Sequence, residues 1–200
     1  LQMASGYAVF ANGGYRVNPT LIAKVTDSKG NVINETHAAV LNDSSRAIDA
    51  RNAFVMNSLL AEVTKTGTAA KARVELKRSD IYGKTGTTND SMDTWFAGYH
   101  PSLVAVVWMG YDTPRKLGDK ETGGSLSLPV WIDFMKSALK NVPIREPIVP
   151  EGIVNSGGEW FYEEFTRATG VRSVGLEDKM PSTASPNEEE KSSILDLFRR

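Results

Sequence analysis

The stretch from Ile81 to Met109 constrains the fold more than any other part of the chain. Ile81-Tyr82 opens an extended segment that runs into Gly83-Lys84-Thr85-Gly86-Thr87-Thr88. Trp95 to Tyr99 follows, then a Pro101-Ser102 turn, then the apolar run Leu103 to Met109. A turn this short between two extended runs joins antiparallel neighbours, so a hairpin is predicted there. Its second strand is apolar enough to predict burial on both faces. Helical patterns surround this region. Met3, Ala4, Tyr7, Ala8 and Phe10 recur at helical spacing and stop at Asn12-Gly13-Gly14, where glycine accepts the left-handed conformation of a helix end. Val55, Met56, Leu59, Leu60 and Val63 predict one face of a second helix, capped upstream by Asp49 and ended by Gly67. Leu128 to Leu139 presents Val130, Trp131, Phe134, Met135 and Ala138 as a helix face that packs on the sheet. A small hairpin is predicted around Ser28-Lys29-Gly30-Asn31. The expected class is a mixed α/β (α+β) chain: an antiparallel sheet flanked by helices.

The pattern decays after Asn141, where Pro143, Pro147 and Pro150 interrupt it and Trp160-Phe161-Tyr162 stands alone behind Gly157-Gly158. From Asp178 onward Ser, Pro, Glu and Lys dominate, and such a composition buries too little apolar surface to offset ordering entropy. Residues 1–140 are therefore expected to fold, 141–177 to form a loosely packed extension, and 178–200 to form a disordered tail. Glu188 to Glu190 reads as a solvated charge run and Ser193 to Arg200 as a frayed end. The chain has no cysteine, which rules out disulfides, thiolate metal sites and cysteine nucleophiles. A formal net charge of −1, with no cluster of Lys or Arg, argues against a nucleic-acid partner. The longest apolar run, Leu103 to Met109, falls well short of the roughly 18 residues of a membrane helix. The first residue, Leu1, already lies inside a helical pattern with no leader before it. The chain is thus expected to be the later part of a domain whose N-terminal half is missing.

Gly83-Lys84-Thr85 invites a phosphate-loop reading, but that motif needs glycine at position 78, which is Arg78. The tetrad K-T-G-T occurs twice, at Lys65-Thr66-Gly67-Thr68 and at Lys84-Thr85-Gly86-Thr87. The first copy terminates an amphipathic helix, where Gly67 has a sufficient structural task. The second follows a strand-forming pair and leads into a polar turn, and it is taken as the functional copy. Penicillin-binding proteins and serine β-lactamases combine S-x-x-K, S-x-N and K-T-G motifs. Ser137-Ala138-Leu139-Lys140 and Ser185-Pro186-Asn187 spell the first two. Both are read as accidental, since one ends a helix after the sheet and the other lies in the polar tail. Trp95 and Trp108 read as core or rim aromatics, Asp93 as a turn residue, and His37 and His100 as isolated surface or turn residues with no metal-ligand spacing.

The ordered series of Ala4, Tyr7 to Gly14, Pro19, Gly67-Thr68-Ala69, Lys84 to Asp90, Asp93, Trp95 to Tyr99 and Val107 to Asp112 resembles the C-terminal part of the transpeptidase domain of class A penicillin-binding proteins. These are the bifunctional peptidoglycan synthases, and the series is most similar to the 1A type of Gram-negative bacteria. The resemblance implies a penicillin-binding/β-lactamase-like transpeptidase fold at the periplasmic face of the bacterial inner membrane. It implies a serine that attacks stem peptides ending in D-Ala-D-Ala, with β-lactams as mimics, and no metal or cofactor. Lys84 and Thr87 would be catalytic, and Thr85, Gly86, Thr87, Thr88 and Asn89 would line the substrate site. In that scheme Lys84 lends charge, the Thr85 and Thr87 hydroxyls hold the substrate carboxylate, and the Thr87 N–H is one oxyanion donor. The nucleophilic serine has no counterpart here. The chain alone is thus expected to be inactive and to need the N-terminal half of its own domain as partner. A non-catalytic peptidoglycan- or β-lactam-binding sensor of the same fold is the alternative.

Overall fold

The computed structural model describes residues 1–37 and 40–166. The elements are α1 (Gln2–Ala11), β1 (Lys24–Thr26), β2 (Val32–Glu35), α2 (Ala50–Lys65), α3 (Ala70–Leu76), β3 (Tyr82–Thr87), β4 (Asp93–His100), β5 (Leu103–Gly110), α4 (Leu128–Ala138), β6 (Ile153–Ser156) and β7 (Glu159–Tyr162). Leu1–Tyr162 form one unit, and a second begins with the helical turn Glu163–Thr166. No helix among the described residues is long and apolar enough to cross a membrane. Residues 167–200, which include the expected tail and the Ser185-Pro186-Asn187 motif, lie outside the described residues.

The central sheet is antiparallel, in the order β3-β4-β5. Its organisation follows from alternation along β4, since successive side chains of a strand point to opposite faces. Trp95, Ala97 and Tyr99 face one side, where Tyr99 meets Tyr7 of α1 with ring centroids 6.2 Å apart. Thr94, Phe96 and His100 face the other, where Phe96 meets Trp131 of α4 at 4.9 Å. Two cores result. Ala69, Ala72, Ile81, Phe96, Leu128, Trp131, Ile132 and Met135 form the α3–α4 side. Leu60, Tyr82 and Tyr99 form the α1 side, with Tyr7, Phe10 and Met56 against them. Helix α2 gives Leu60 to one core and Val63 to the other, so it lies across the start of β3.

The helices form where the apolar spacing places them, but two present different faces. On α2 the buried residues are Ala53, Phe54, Leu60 and Thr64, while Leu59 is 58% exposed. The buried stripe includes Thr64, with half-buried Asn57 beside it, because these polar side chains bond to neighbours. Thr64 Oγ1 donates to Ile81 O at 2.8 Å, and Asn57 Nδ2 donates to Phe10 O at 3.2 Å while accepting from the Tyr99 hydroxyl. On α4 Leu128, Trp131, Ile132 and Met135 are buried, whereas Val130 and Phe134 are about half exposed. Strand β5 is only partly buried along its length and lies at a sheet edge among the described residues, rather than being covered on both faces. Asp49 caps α2 as expected, accepting from the Arg51 N–H at 2.9 Å.

The segment after Asn141 also differs from its composition-based reading. Hairpin β6–β7 belongs to the same unit as the sheet, and Trp160 packs edge-on against Phe54 of α2 at 5.1 Å. A buried ionic clasp holds the start of this segment. Asp80, 1% exposed, takes a bidentate pair from Arg78 at 2.9 and 2.7 Å and the Arg145 N–H at 2.8 Å. Arg78 also donates to Val142 O at 2.7 Å and Pro143 O at 3.0 Å. His100, read from sequence as a surface or turn residue, is fully buried and sits 3.0 Å from Asp80 through Nε2. No local spacing reveals this, because the partner is 20 residues away. The Ser102 N–H donates to His100 Nδ1 at 3.1 Å, so the ring proton is on Nε2, pointing at the carboxylate.

Burial by itself would raise the Asp80 pKa. The Arg78 hydrogen bonds and the Arg145 N–H outweigh it and hold the carboxyl below its ordinary 3.8. For His100 burial dominates over the attraction of Asp80 and pulls the ring below its ordinary 6.5. Both shifts mean that the folded state binds fewer protons than the unfolded chain. Stability should be fully present above pH 6.5, decline as pH falls below it, and decline further below 3.8. Urea melts as a function of pH check this, and His100→Gln should flatten the first decline. Asp80→Ala leaves the Arg78 charge without its carboxylate and should cost about 3–5 kcal/mol.

Candidate active site

Strand β3 is an edge strand among the described residues, and its pairing fixes which groups it offers. The register sets Lys84 opposite Ala97, Thr85 opposite Phe96, Gly86 opposite Trp95 and Thr87 opposite Thr94. The Thr88 N–H donates to Asp93 O at 3.1 Å, which makes 88–93 a hydrogen-bonded pair. In an antiparallel ladder such pairs alternate with non-bonded ones. Gly86 and Lys84 therefore bond to β4, while the backbone N–H and C=O of Thr85 and Thr87 point off the free edge. The same alternation sends the Lys84 side chain to the α1 face and the two threonine side chains to the α4 face.

Lys84 and Thr85 meet again around that edge. Lys84 Nζ donates to Thr85 O at 3.0 Å and lies 3.5 Å from Thr85 Oγ1. A cavity of ≈ 240 Å³ opens beside them, lined by Met3, Tyr7, Lys84, Thr85, Gly86, Trp95 and Ala97. Trp95 is thus part of the rim, and its neighbour Trp108 is tied to Asp93 Oδ1 by an indole N–H donor at 2.8 Å. A larger cavity of ≈ 470 Å³, lined among others by Phe54, Tyr82, Tyr99 and Pro147, lies toward the other end of β3. It does not include the tetrad.

Two elements that the sequence reading did not assign to the site reach it. The turn Gly123–Ser127 begins flat against the sheet, and the Gly123 N–H donates to Thr87 Oγ1 at 3.1 Å. A Cβ on Gly123 would lie 2.4 Å from Trp95 O and 2.7 Å from Gly86 O, so only glycine fits there. Ser127 anchors the turn through a buried hydroxyl pair with Thr94 at 2.8 Å. The second element is the discounted first tetrad, whose Thr68 Oγ1 lies 2.7 Å from Thr85 Oγ1. Gly67 does not end α2 through a left-handed conformation. Its role is closeness, since a Cβ there would meet Val63 Cα at 2.8 Å. Repetition of the tetrad was a signal for Thr68, but only the tertiary fold brings the copies together.

Lys84, Thr85, Gly86 and Thr87 are thus gathered on one strand. Thr88 and Asn89 are not. The Thr88 hydroxyl accepts the Asp93 N–H at 2.8 Å and closes the turn. Asn89 begins the Asn89–Ser91 turn, in which Asp90 adopts φ 60° and the chain leaves the strand line. Ser137 and Lys140 of the accidental S-x-x-K are exposed beyond or at the end of α4.

Residues 1–136 match the family described as penicillin binding protein transpeptidase domain. Penicillin-binding protein 1A of Neisseria flavescens is 43% identical over 165 residues, covering 82% of this chain and 21% of that protein. Penicillin-binding protein 1A of Pseudomonas aeruginosa is 37% identical over 201 residues, covering 78% of this chain and 24% of that protein. The crystal structure of penicillin-binding protein 1A from Haemophilus influenzae superposes with a TM-score of 0.74 at 32% identity, over 80% of this chain and 31% of that one. The chain thus spans roughly a fifth to a quarter of the length of these relatives.

Because the atoms that a Gly123 side chain would strike are backbone, Gly123→Ala must displace the turn from the strand and break the bond to Thr87. A loss of about 1–3 kcal/mol in urea melts is expected. Gly6→Ala is the control, since nothing lies within 4 Å of a Cβ at that position in α1. It should be neutral or stabilise by up to about 1 kcal/mol. Equal behaviour of the two variants would contradict the packing described.

Proposed function

The chain belongs to the penicillin-binding protein transpeptidase family, and on that footing we propose that it forms the sheet-side wall of a serine acyl-transfer site that cross-links peptidoglycan stem peptides. The observation that carries this reading is the free edge of β3, where outward N–H groups lie beside two hydroxyls and one ammonium. An edge of this kind suits a ligand that runs along it as an extended peptide with an anionic end.

The nucleophile comes from outside this chain, in the preceding part of the same domain. Its hydroxyl adds to the penultimate D-alanine carbonyl, and the peptide C–N bond then breaks. Terminal D-alanine departs with a proton on its amine, leaving an ester on the serine. An amine of a neighbouring stem peptide attacks that ester, restoring the serine hydroxyl and forming the cross-link. Thr85 and Thr87 donate hydroxyl protons to the carboxylate of the donor peptide. The Thr87 N–H supplies one hydrogen bond to the developing oxyanion, a contact worth a few kcal/mol where it strengthens in the transition state. Lys84 lends positive charge to the carboxylate and to the serine as it loses its proton. A β-lactam occupies the same edge through its own carboxylate. The longer protein works at the periplasmic face of the inner membrane, anchored through a part outside this chain, and also carries peptidoglycan glycosyltransferase activity.

Labelled penicillin tests the reading in the full-length protein. Lys84→Ala, and Thr85→Val combined with Thr87→Val, should each slow covalent labelling by on the order of a hundredfold. Labelling at the unaltered rate in these variants would contradict the assignment. Reversible retention of penicillin with no covalent label in the unaltered protein would point to a sensor of the same fold.

A further inference from the structure

The two hydroxyls on β3 are supported by different kinds of donor, and the difference has a chemical consequence. A hydroxyl owns one proton and can accept at its lone pairs, whereas a backbone N–H can only donate. Thr87 Oγ1 accepts from the Gly123 N–H at 3.1 Å. Its proton is thereby kept free for whatever lies off the strand. Thr85 Oγ1 instead faces another hydroxyl, Thr68 Oγ1, at 2.7 Å, in which either partner can donate, while the Lys84 ammonium stands farther off at 3.5 Å.

Thr68 is exposed, yet the backbone around it is fixed on both sides. The Gly67 N–H donates to Glu62 O at 3.2 Å and the Ala69 N–H to Val63 O at 3.1 Å. Ala69 has no exposed surface and belongs to the α3–α4 core. Gly124 packs from above, where a Cβ would sit 3.3 Å from Thr68 O. The Thr68 backbone is therefore held between the end of α2 and the start of α3, with its hydroxyl within hydrogen-bond reach of Thr85.

We propose that Thr68 is a positioning residue that sets the hydrogen-bond polarity of Thr85 to suit an anionic ligand. A carboxylate only accepts. When one binds at the strand edge, Thr85 turns its proton toward it, and Thr68 donates into Thr85 Oγ1 to replace that proton. The pair is a reversible relay, in contrast to the fixed Thr87–Gly123 bond. It favours a carboxylate over a neutral end group because a donating neighbour strengthens the hydroxyl as a donor. This inference rests on the acyl-transfer reading above and adds to it a residue from the first K-T-G-T copy.

The test compares second-order acylation rates of the full-length protein with two probes, a penicillin bearing its free carboxylate and the same penicillin as its carboxamide. Thr68→Val keeps shape and removes the hydroxyl. It should lower the carboxylate-over-carboxamide rate ratio by on the order of tenfold, and Thr68→Ser should restore the ratio. Should the valine variant fail to fold, Thr68→Ala makes the same comparison. An unaltered ratio in the variant lacking the hydroxyl, or equal slowing with both probes, would overturn the role of Thr68 alone. Absence of any acylation in the unaltered protein would instead overturn the acyl-transfer reading, and this inference with it.

Discussion

A carboxylate that is 1% exposed must be fully paired or neutral, and Asp80 is paired on every side. That constraint governs the rest of the molecule because Asp80 stands two residues before β3. Its partners are Arg78 in the loop after α3, His100 at the end of β4, and the backbone at Arg145. Together they fix where β3 begins relative to β4. A slip of one residue in that register would exchange the faces of every side chain on the strand. Lys84 would then share a face with Phe96, and the two threonines would turn toward α1.

With the register fixed, the site is assembled from groups that no single element supplies. The strand contributes the hydroxyls and the outward N–H of Thr87. The turn at Gly123 and the junction at Thr68 each reach one hydroxyl from a different direction. Small residues make this approach possible. Gly123 lies against Trp95 O and Gly86 O, and Gly67 lies against Val63. Each closeness is a backbone-to-backbone contact that a methyl group would prevent.

The mixed class, the central hairpin and the extended state of the second tetrad were legible in the sequence, because alternation and short turns are local signals. The helix faces were less so. Buried Thr64 and half-buried Asn57 are held by hydrogen bonds to Ile81 O, Phe10 O and the Tyr99 hydroxyl, and an apolar pattern does not register them. His100 resembled a surface histidine for the same reason, since its partner comes from another element. The hairpin at Ile153–Tyr162 was hidden behind prolines, although the Asp80 clasp and the Phe54–Trp160 contact hold that segment to the sheet. Of the proposed site, the motif names Lys84 to Thr87, which share strand β3. The first tetrad reads as a helix end because Gly67 has a sufficient structural task there, and no local pattern shows that Thr68 Oγ1 lies 2.7 Å from Thr85 Oγ1. Thr88 belongs to the substrate site only by the family resemblance, and its hydroxyl accepts from the Asp93 N–H.

In the proposed function an anionic ligand end is held by the hydroxyls of Thr85 and Thr87 at the free edge of β3. A crystal structure of the full-length protein acylated by a penicillin tests it most directly. The ligand carboxylate should lie within about 3.2 Å of both Thr85 Oγ1 and Thr87 Oγ1, with the acyl oxygen on the Thr87 N–H. A carboxylate bound away from β3, or an acyl oxygen held by donors other than this strand, would contradict it.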